Sequence, residues 1–565
     1  MSRTLDRRAF VNYFTGIGLG TTLLPGALWA RLQQQQEDRI TKQMIKEAEA
    51  LAGLEFTDAE RDAIVRGVNA NARNYAQLRT VELPNSVPPA VQFDPVLPGM
   101  KLPSERKTPR FTKVSAVARP ANLEQLAFYP VLQLAELIRT RRVSPVELTE
   151  MYLQRLKTHG PKLEAVITLT EDRALAQARQ ADAEIRGGRY RGLLHGIPWG
   201  AKDLLATKGI RTTWGAKPYE DQVLDEDATV VQRLDRAGAI MVAKLTLGAL
   251  AQGDVWYGGR TRNPWKLDQG SSGSSAGPGA TTVAGLVGFS IGSETLGSIV
   301  SPSTRNGATG LRPTFGRVPR TGAMALSWSM DKLGPMCRTV EDCAAVFAAI
   351  HGPDGRDPTI RDLPFNWDAN QSLGSLRIGY YKSAFDATEN HATKAFDDAA
   401  LEVLRTRLRV SPIPIETPTK YPLNALRIIL NAEAAAAFDA LTRGPDDDKM
   451  ENSSWPASFR QSRFIPAVEY LQANRIRTLI MAEMDKVMQQ VDVFITPSFG
   501  GNVLLLTNLT GHPAVVLPNG FNEDGTPVSI SFIGKLYGEA EVLRVAKAYQ
   551  DATDFHLKRP PLFGV

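Results

Sequence analysis

The sequence has very little cysteine, with only Cys337 and Cys343 among 565 residues. Two cysteines six positions apart are too few for a disulfide framework or a thiolate metal site. The six histidines never occur at a metal-ligand spacing such as H-E-x-x-H. We therefore expect no structural disulfide, no protein-bound catalytic metal and no cofactor.

The chain also has little net charge. The 66 basic residues exceed the 60 acidic residues by only six, and no long run of like charge occurs. A mild imbalance of this kind is not typical of nucleic-acid binding. With 43% hydrophobic and 22% charged residues, the composition excludes disordered and fibrous classes. The sequence predicts a globular protein without a nucleic-acid partner, and it is compatible with a homodimer.

The first thirty residues differ in character from the rest of the chain. Arg7 and Arg8 precede a weakly apolar stretch, residues 11–30, that contains no charged side chain. This layout is typical of a twin-arginine export signal. The stretch is short and interrupted by glycine and proline, which disfavours a transmembrane helix. We predict that residues 1–30 direct export, to the periplasm, with membrane attachment only where the signal is not cleaved.

The remaining chain divides by pattern into an N-terminal extension and a large domain. Residues 31–120 comprise a helical part, in which Thr57 and Glu60 form a capping box, and a proline-rich arm from residue 81. Residues 121–565 alternate between helical and strand periodicity. Repeated alternation over this length predicts an α/β fold with a large sheet covered by helices on both faces.

Residues 288–302, GFSIGSETLGSIVSP, contain four serines. Ser290 lies in a G-x-S-x-G match to the nucleophile elbow of α/β-hydrolases. The match falls inside an apolar run, so we predict that Ser290 is a buried strand residue. Ser298 follows the strand in a glycine-containing loop, where consecutive backbone N–H groups can converge as an oxyanion hole requires. The pattern favours Ser298 as the nucleophile.

A serine needs a base, and two lysines have suitable surroundings. Lys202 ends the apolar stretch GIPWGAK, and Lys244 lies in MVAKLTL. A lysine with a pKa of about 10.4 is mostly protonated at neutral pH, and leaving it neutral costs about 4 kcal/mol. Burial can lower that pKa by about 3–5 units, so the base must be buried. Periodicity does not distinguish the two lysines.

Several motifs in one order resemble the amidase signature family of serine hydrolases. They are GIPWGAKD at 196–203, GSSAGPGA at 273–280 and GSETLGSIVSP at 292–302, and the likeness extends over residues 122–560. The resemblance implies a large mixed, twisted sheet sandwiched by helices. It also implies a catalytic triad of Ser298 as nucleophile, Ser274 as relay after a cis peptide bond from Gly273, and Lys202 as base, with Lys244 outside the triad.

The resemblance further implies hydrolysis of a linear carboxylic amide, with the oxyanion held by the backbone N–H groups of Thr295, Leu296, Gly297 and Ser298. Three positions depart from the usual nucleophile loop, because Glu294 replaces Asp, Leu296 replaces Gly and Val300 replaces Arg. We expect an altered pocket shape and an active enzyme, and the missing arginine weakens any argument about local charge pairing.

Trp256, Tyr257, Met324 and Trp328 flank family motifs and are candidates for an apolar acyl pocket, although core packing explains each of them equally well. Two other functions fit the same fold. One is the glutaminase-type subunit of a tRNA-dependent amidotransferase, and the other is a catalytically silent binding protein.

Overall fold

The computed structural model describes residues 40–564 apart from residues 79, 82, 88, 90, 388–390 and 451–452. The predicted export signal, residues 1–30, lies outside the described residues. The described chain forms two compact units. The smaller contains the residues up to Pro84 and Phe464–Pro466, and the larger contains Asn85–Arg463 and the chain from Ala467 onward.

The smaller unit contains helices α1 (Lys42–Ala52) and α2 (Asp58–Leu78). The predicted capping box before α2 is confirmed, because the backbone N–H of Glu60 donates to Thr57 Oγ1 and that of Thr57 donates to Glu60 Oε2. The two helices are joined by a buried ion pair between Arg61 and Glu49 at 2.7 Å.

The larger unit is built on an eleven-stranded sheet in the order β1-β3-β2-β8-β10-β9-β14-β15-β13-β11-β12. Its strands are β1 (Val166–Leu169), β2 (Pro198–Lys202), β3 (Ile240–Leu245), β8 (Phe289–Glu294), β9 (Thr309–Arg312), β10 (Lys332–Cys337), β11 (Ile378–Tyr381), β12 (Ile413–Ile415), β13 (Val493–Pro497), β14 (Ala514–Phe521) and β15 (Pro527–Gly534). Two small hairpins pair β4 (Val255–Trp256) with β5 (Gly259–Arg260), and β6 (Arg262–Asn263) with β7 (Lys266–Gly270). The sheet is mixed, since β2 pairs in parallel with β3 and β8 whereas β10 pairs antiparallel with β8. This confirms the predicted fold class.

Helices of the larger unit connect and cover the strands. They are α3 (Val131–Arg139), α4 (Pro145–Leu163), α5 (Glu171–Arg186), α6 (Thr229–Arg236), α7 (Ala276–Val283), α8 (Val300–Asn306), α9 (Val340–Ile350), α10 (Lys382–Asp386), α11 (His391–Thr406), α12 (Arg427–Ala437), α13 (Asp439–Arg443), α14 (Trp455–Ser462), α15 (Ala467–Gln490), α16 (Val503–Thr510) and α17 (Glu539–Asp551). The start of α4 is fixed by a capping box between Ser144 and Glu147, because each side chain accepts a hydrogen bond from the other residue's backbone N–H.

The central strands are buried on both faces. Every residue of β2, β3, β8 and β10 is buried, and successive strand residues point to opposite sides of a sheet. The prediction for Ser290 is confirmed, since it lies within β8 and is fully buried.

The proline-rich arm from residue 85 to 120 belongs to the same compact unit as the sheet. Its described residues form no helix or strand, apart from one β-bridge between Arg110 and Asp368. Among the described residues, no helix is both long enough and apolar enough to cross a membrane.

Candidate active site

Lys202 is the last residue of β2 and lies beside the end of β8. The two strands run in parallel with Ala201 opposite Ile291, which brings Ser293 of β8 next to the lysine. The Nζ atom of Lys202 lies 2.8 Å from Ser274 Oγ, 3.0 Å from Ser275 Oγ and 2.8 Å from Ser293 Oγ. The amine is thus surrounded by hydroxyl groups.

The surroundings of Lys202 favour the neutral amine. The side chain is fully buried, and burial lowers the pKa of Lys202 well below its usual value, although Asp331 and Glu294 oppose this through their charges. No carboxylate of the described chain contacts the amine. A neutral amine is the form that can accept a proton.

Ser274 lies in the loop between β7 and α7, after a cis peptide bond from Gly273. A Cβ atom at position 273 would lie 1.8 Å from the carbonyl oxygen of Gly253, so only glycine fits there. Asp254 Oδ2 accepts a hydrogen bond from the backbone N–H of Ser272 at 2.9 Å. These contacts fix the path of the loop that holds Ser274 against Lys202.

Ser298 lies in the loop between β8 and α8, and its carbonyl accepts a hydrogen bond from the backbone N–H of Ser275 at 3.1 Å. This bond joins the two serine loops. Ser298 is 9% exposed and Ser274 only 1%, so Ser298 is the more accessible serine. In the described structure, the backbone N–H groups of residues 295–298 donate to no protein acceptor, as an oxyanion hole requires.

The rival lysine, Lys244, is engaged elsewhere. Its Nζ atom lies 2.7 Å from Asp203 Oδ1 and 2.8 Å from Thr212 Oγ1, and the pair with Asp203 is completely buried. Asp203 therefore faces Lys244 and not its neighbour Lys202. Burial lowers the pKa of Lys244 as well, but the Asp203 carboxylate opposes that shift by direct contact, whereas no carboxylate of the described chain contacts Lys202. This difference in partners separates two residues that look alike in the sequence.

Comparisons with known proteins identify the family. The sequence model of the family described as Amidase matches residues 147–506. The chain belongs to the amidase family. It is 33% identical to a glutamyl-tRNA(Gln) amidotransferase subunit of Carboxydothermus hydrogenoformans over 489 residues, covering 78% of this chain and 100% of that protein. It is 35% identical to the protein of the same name from Roseiflexus castenholzii, and the alignment covers 76% of this chain and 97% of that protein. The native peptide amidase from Stenotrophomonas maltophilia has a similar structure, with a TM-score of 0.70 and 28% sequence identity. The match covers 78% of this chain and 100% of that protein.

The loop from β8 to α8 retains a charge pair although the arginine usual in the family is absent at position 300. Glu294 pairs with Arg312 of β9 at 2.9 Å, and both side chains are fully buried. Burial raises the pKa of Glu294, but the charges of Arg312 and Lys332 outweigh it and bring the value to about 2. A nearby strand of the same sheet therefore supplies a cation for this loop.

Leu296 causes no backbone strain in the amidase, because it is not among the residues with positive φ. Gly297 is, with a φ of +89°, and a Cβ atom there would lie 3.1 Å from Ser301 Oγ. Leu296 instead packs against the apolar cluster around Met330. Only the glycine next to Ser298 needs a conformation that other residues rarely adopt.

A cavity of about 300 Å³ ends against Ser293 and Thr295, the residues on either side of Glu294. Of the four predicted pocket residues, Met324 and Trp328 line this cavity and Trp256 and Tyr257 do not. Trp256 instead donates its indole N–H to the carbonyl of Glu164, and the Tyr257 ring packs edge-on against Trp256 at 4.9 Å.

Several residues around the site were not found from the sequence. Ser275 and Ser293 complete the environment of Lys202, and Asp331 Oδ1 accepts a hydrogen bond from Thr295 Oγ1 at 2.5 Å. Two of these are serines next to or near those that were considered, but nothing in the sequence indicates where their hydroxyl groups point. Asp331 lies in a different part of the chain, so only the pairing of β8 with β10 places it near Thr295.

Other reactive side chains lie apart from this arrangement. Among the described residues, no cluster of three or more His, Cys, Asp or Glu side chains could hold a metal ion. His512 is buried and contacts Thr510 Oγ1, and burial lowers its pKa to about 3.

Proposed function

We propose that the protein hydrolyses a linear carboxylic amide to an acid and an amine or ammonia, with Ser298 as nucleophile, Ser274 as relay and Lys202 as base. The observation that carries the proposal is the enclosed amine of Lys202, which contacts Ser274 Oγ at 2.8 Å and no carboxylate of the described chain. This arrangement favours a neutral lysine at the end of a chain of hydroxyl groups.

The hydrogen bonds around Lys202 determine where protons can go. The hydroxyl of Ser275 donates to the carbonyl of Ser293 at 3.1 Å, so its oxygen must accept from Lys202. A neutral amine has two N–H donors and one lone pair. If the donors serve Ser275 Oγ and Ser293 Oγ, the lone pair faces the hydroxyl of Ser274. Ser274 is then the group that can give its proton to Lys202.

The reaction follows from this order of protons. Lys202 takes the proton of Ser274, which takes that of Ser298 while the Ser298 oxygen bonds to the amide carbon. The backbone N–H groups of residues 295–298 stabilise the oxyanion. The C–N bond breaks as the amine receives the proton through Ser274. Water then attacks the acyl-enzyme, releasing the acid and restoring Ser298.

A second candidate is the glutaminase-type subunit of a tRNA-dependent amidotransferase. The curated relatives described above support it, since each is named as a subunit of glutamyl-tRNA(Gln) amidotransferase and matches over 97–100% of its length. By name, the curated relatives favour this candidate over a free-standing hydrolase. The structural similarity to a peptide amidase is compatible with either. A catalytically silent binding protein has no observation in its favour.

A fluorophosphonate probe tests the assignment of the nucleophile. The wild type and the Ser290→Ala control should be labelled, whereas Ser298→Ala should not. Lys202→Ala should slow labelling by about 10²- to 10⁴-fold, the usual contribution of a general base. Because the amine must be neutral, the labelling rate of the wild type should rise with pH through the pKa of Lys202. Since burial lowers that pKa, the rate should already reach its plateau below pH ~10. Labelling at Ser290 would contradict the proposal.

Substrate preference separates the two candidates. Release of ammonia or amine by the full chain should be measured for glutamine and for aliphatic, aryl and peptide amides at matched concentrations, with esters as controls. A free-standing amidase should prefer one of the other amides over glutamine. Preference for glutamine would support the amidotransferase role.

Export is a further part of the proposal, and it rests on Arg7, Arg8 and the uncharged stretch that follows them. A reporter fused after residue 30 should reach the periplasm, and replacement of both arginines by lysine should retain it in the cytoplasm. Cytoplasmic retention of the unaltered fusion would contradict export. Export argues against a tRNA-dependent role, so cytoplasmic retention would also remove that objection.

A further inference from the structure

The cavity beside Thr295 is walled in part by the proline-rich arm. Asn85, Ser86, Pro89, Val91, Gln92 and Phe93 line it, opposite Met324 and Trp328. These arm residues precede the region that matches the family, which begins at residue 147. The wall is therefore a feature of this chain outside the family's matched sequence.

The arm is attached at both ends of this segment. The side chain of Asn85 donates to the carbonyl of Ala325 at 2.8 Å and accepts from its backbone N–H at 2.6 Å. The ring of Phe93 lies under the guanidinium of Arg477, 3.4 Å from the ring centroid, and edge-on to Phe315 at 5.0 Å. The hydrogen bonds of Asn85 and the cation–π contact of Phe93 thus hold the lining residues of the arm over the cavity.

The carboxylates of Asp331 and Glu433, which line the cavity, are already engaged by the protein. Asp331 accepts from Thr295 Oγ1 and from the backbone N–H groups of Leu326 and Ser327. Glu433 accepts from two serines, Ser327 and Ser329, and from Tyr470. These groups fix the wall and have their hydrogen-bonding capacity occupied, so they offer little to a charged ligand.

The cations are engaged as well. Arg320 pairs with Asp357 at 3.1 Å and donates to the carbonyl of Trp328 at 2.6 Å. Arg356 lies 3.7 Å from Glu226, and both are about half exposed. Between these ion pairs, the surface of the described cavity is mainly apolar. It comes from Pro89, Phe93 and the side chains opposite them. A volume of about 300 Å³ is within the range of small-molecule sites.

We infer that the six arm residues lining the cavity form the specificity wall of the active site, and that the cavity takes an uncharged, apolar group of the amide substrate. The inference rests on the proposed amide hydrolysis and names its substrate class. Phe93 is the specificity-determining residue, because it both lines the cavity and anchors the arm. A free amino acid such as glutamine, with charged amino and carboxylate groups, fits this cavity poorly.

The test compares Phe93→Ala with Phe111→Ala, a matched control at another half-buried phenylalanine of the arm that does not line the cavity. Two substrate series should be used, p-nitroanilides with acyl groups of increasing length and acetamides with amine groups of increasing length. Phe93→Ala should change the ratio of kcat/KM between the longest and shortest members of one series by about tenfold or more. Phe111→Ala should leave both ratios unchanged. Unchanged ratios in Phe93→Ala, in both series, would overturn the inference.

A second pair of variants tests the opposite change. Val91→Trp adds bulk to a lining residue, whereas Val87→Trp adds the same bulk to an exposed arm residue that does not line the cavity. Val91→Trp should lower kcat/KM for the long substrates by about tenfold, and Val87→Trp should not. Equal effects of the two variants would contradict the assignment. Thermal unfolding of each variant shows whether it is folded.

Binding separates failure of this inference from failure of the proposed function. In the Ser298→Ala background, calorimetry with the longest amide should show binding that Phe93→Ala weakens by about tenfold. If the fluorophosphonate does not label Ser298 but this binding persists, the proposed chemistry is wrong and the wall stands. If labelling succeeds and Phe93→Ala binds the amide as tightly as its background, the wall is wrong and the chemistry stands.

Discussion

The carboxylate of Glu294 accepts hydrogen bonds from the backbone N–H groups of Ile299 and Val300 at 2.8 and 2.9 Å. These two residues directly follow Ser298. The same carboxylate pairs with Arg312 and accepts from the side-chain amide of Asn508. One buried anion therefore links the start of α8 to β9 and α16, and through α8 it fixes the chain that carries Ser298.

Replacement of Glu294 by Gln should destabilise the protein by about 3–5 kcal/mol at pH 7, because it leaves the guanidinium of Arg312 buried without an anion. The pKa of Glu294 is about 2, below the value of about 4.3 in an unfolded chain. The stabilisation is thus complete above pH ~4.3 and is lost as the pH falls towards 2. Urea unfolding at several pH values measures the difference.

The control for this substitution is Glu150→Gln, at an exposed glutamate of α4. It should change stability by less than about 0.5 kcal/mol. Equal stability of Glu294→Gln and wild type at pH 7 would contradict the role given to the buried pair.

Lys202 and Lys244 show what a sequence can reveal about single residues. Both lie in buried strands, so burial and strand periodicity are the same for each. The difference comes from Asp203, which follows Lys202 in the chain but pairs with Lys244 in space. The triad positions came from a match of whole motifs, because the direction in which a side chain points is set by tertiary packing.

At the scale of elements, the loop from β8 to α8 has one position that accepts a residue other than glycine, followed by one that requires glycine. Leu296 occupies a place where the family usually has glycine, and its φ is not positive. Gly297 has a φ of +89° and is closely surrounded by Ser301 and Leu504. The loop can therefore vary in sequence at one residue and not at the next.

Gly297→Ala should slow labelling of Ser298 by the fluorophosphonate probe and lower stability by about 1 kcal/mol or more, since alanine is strained at positive φ. Leu296→Gly, its matched partner, should leave the labelling rate nearly unchanged, with a small loss of stability from lost packing. Labelling kinetics and urea unfolding measure both effects. If Leu296→Gly slowed labelling more than Gly297→Ala, the assignment of backbone requirements would be wrong.

The elements themselves were largely predictable, and their arrangement was not. Alternating patterns and the capping box at Thr57 indicated strands and helices, and the apolar run around Ser290 indicated a buried strand. The sheet order places β10 between β8 and β9. Such pairings depend on contacts between residues distant in sequence, which local periodicity does not contain.

At the scale of the whole molecule, the described chain divides into two compact units, and the arm from Asn85 onward belongs to the larger. The sequence predicted one extension over residues 31–120, because a proline-rich segment has no periodicity that indicates where it packs. Only the folded chain shows that six residues of the arm line a cavity next to the candidate active site, namely Asn85, Ser86, Pro89, Val91, Gln92 and Phe93.

Two truncations separate the contributions of these segments. Deletion of residues 1–84 removes none of the residues that line the cavity, so Ser298 should still be labelled and the preference for substrate length should be kept. Deletion of residues 1–93 also removes the arm's share of the wall, and we expect a broader preference. Substrate series and thermal unfolding measure the outcome. The same preference in both truncated proteins would contradict the role of the arm.

The arm's part of the cavity wall and the candidate catalytic residues lie far apart in sequence. The serines and Lys202 fall between residues 202 and 298, whereas the arm contributes lining residues between 85 and 93. On the proposed assignment, mutations in one short stretch of the gene would change which substrates are accepted and leave Lys202, Ser274 and Ser298 unaltered. In laboratory evolution, a library confined to codons 85–93 would sample new substrates on an unchanged reaction.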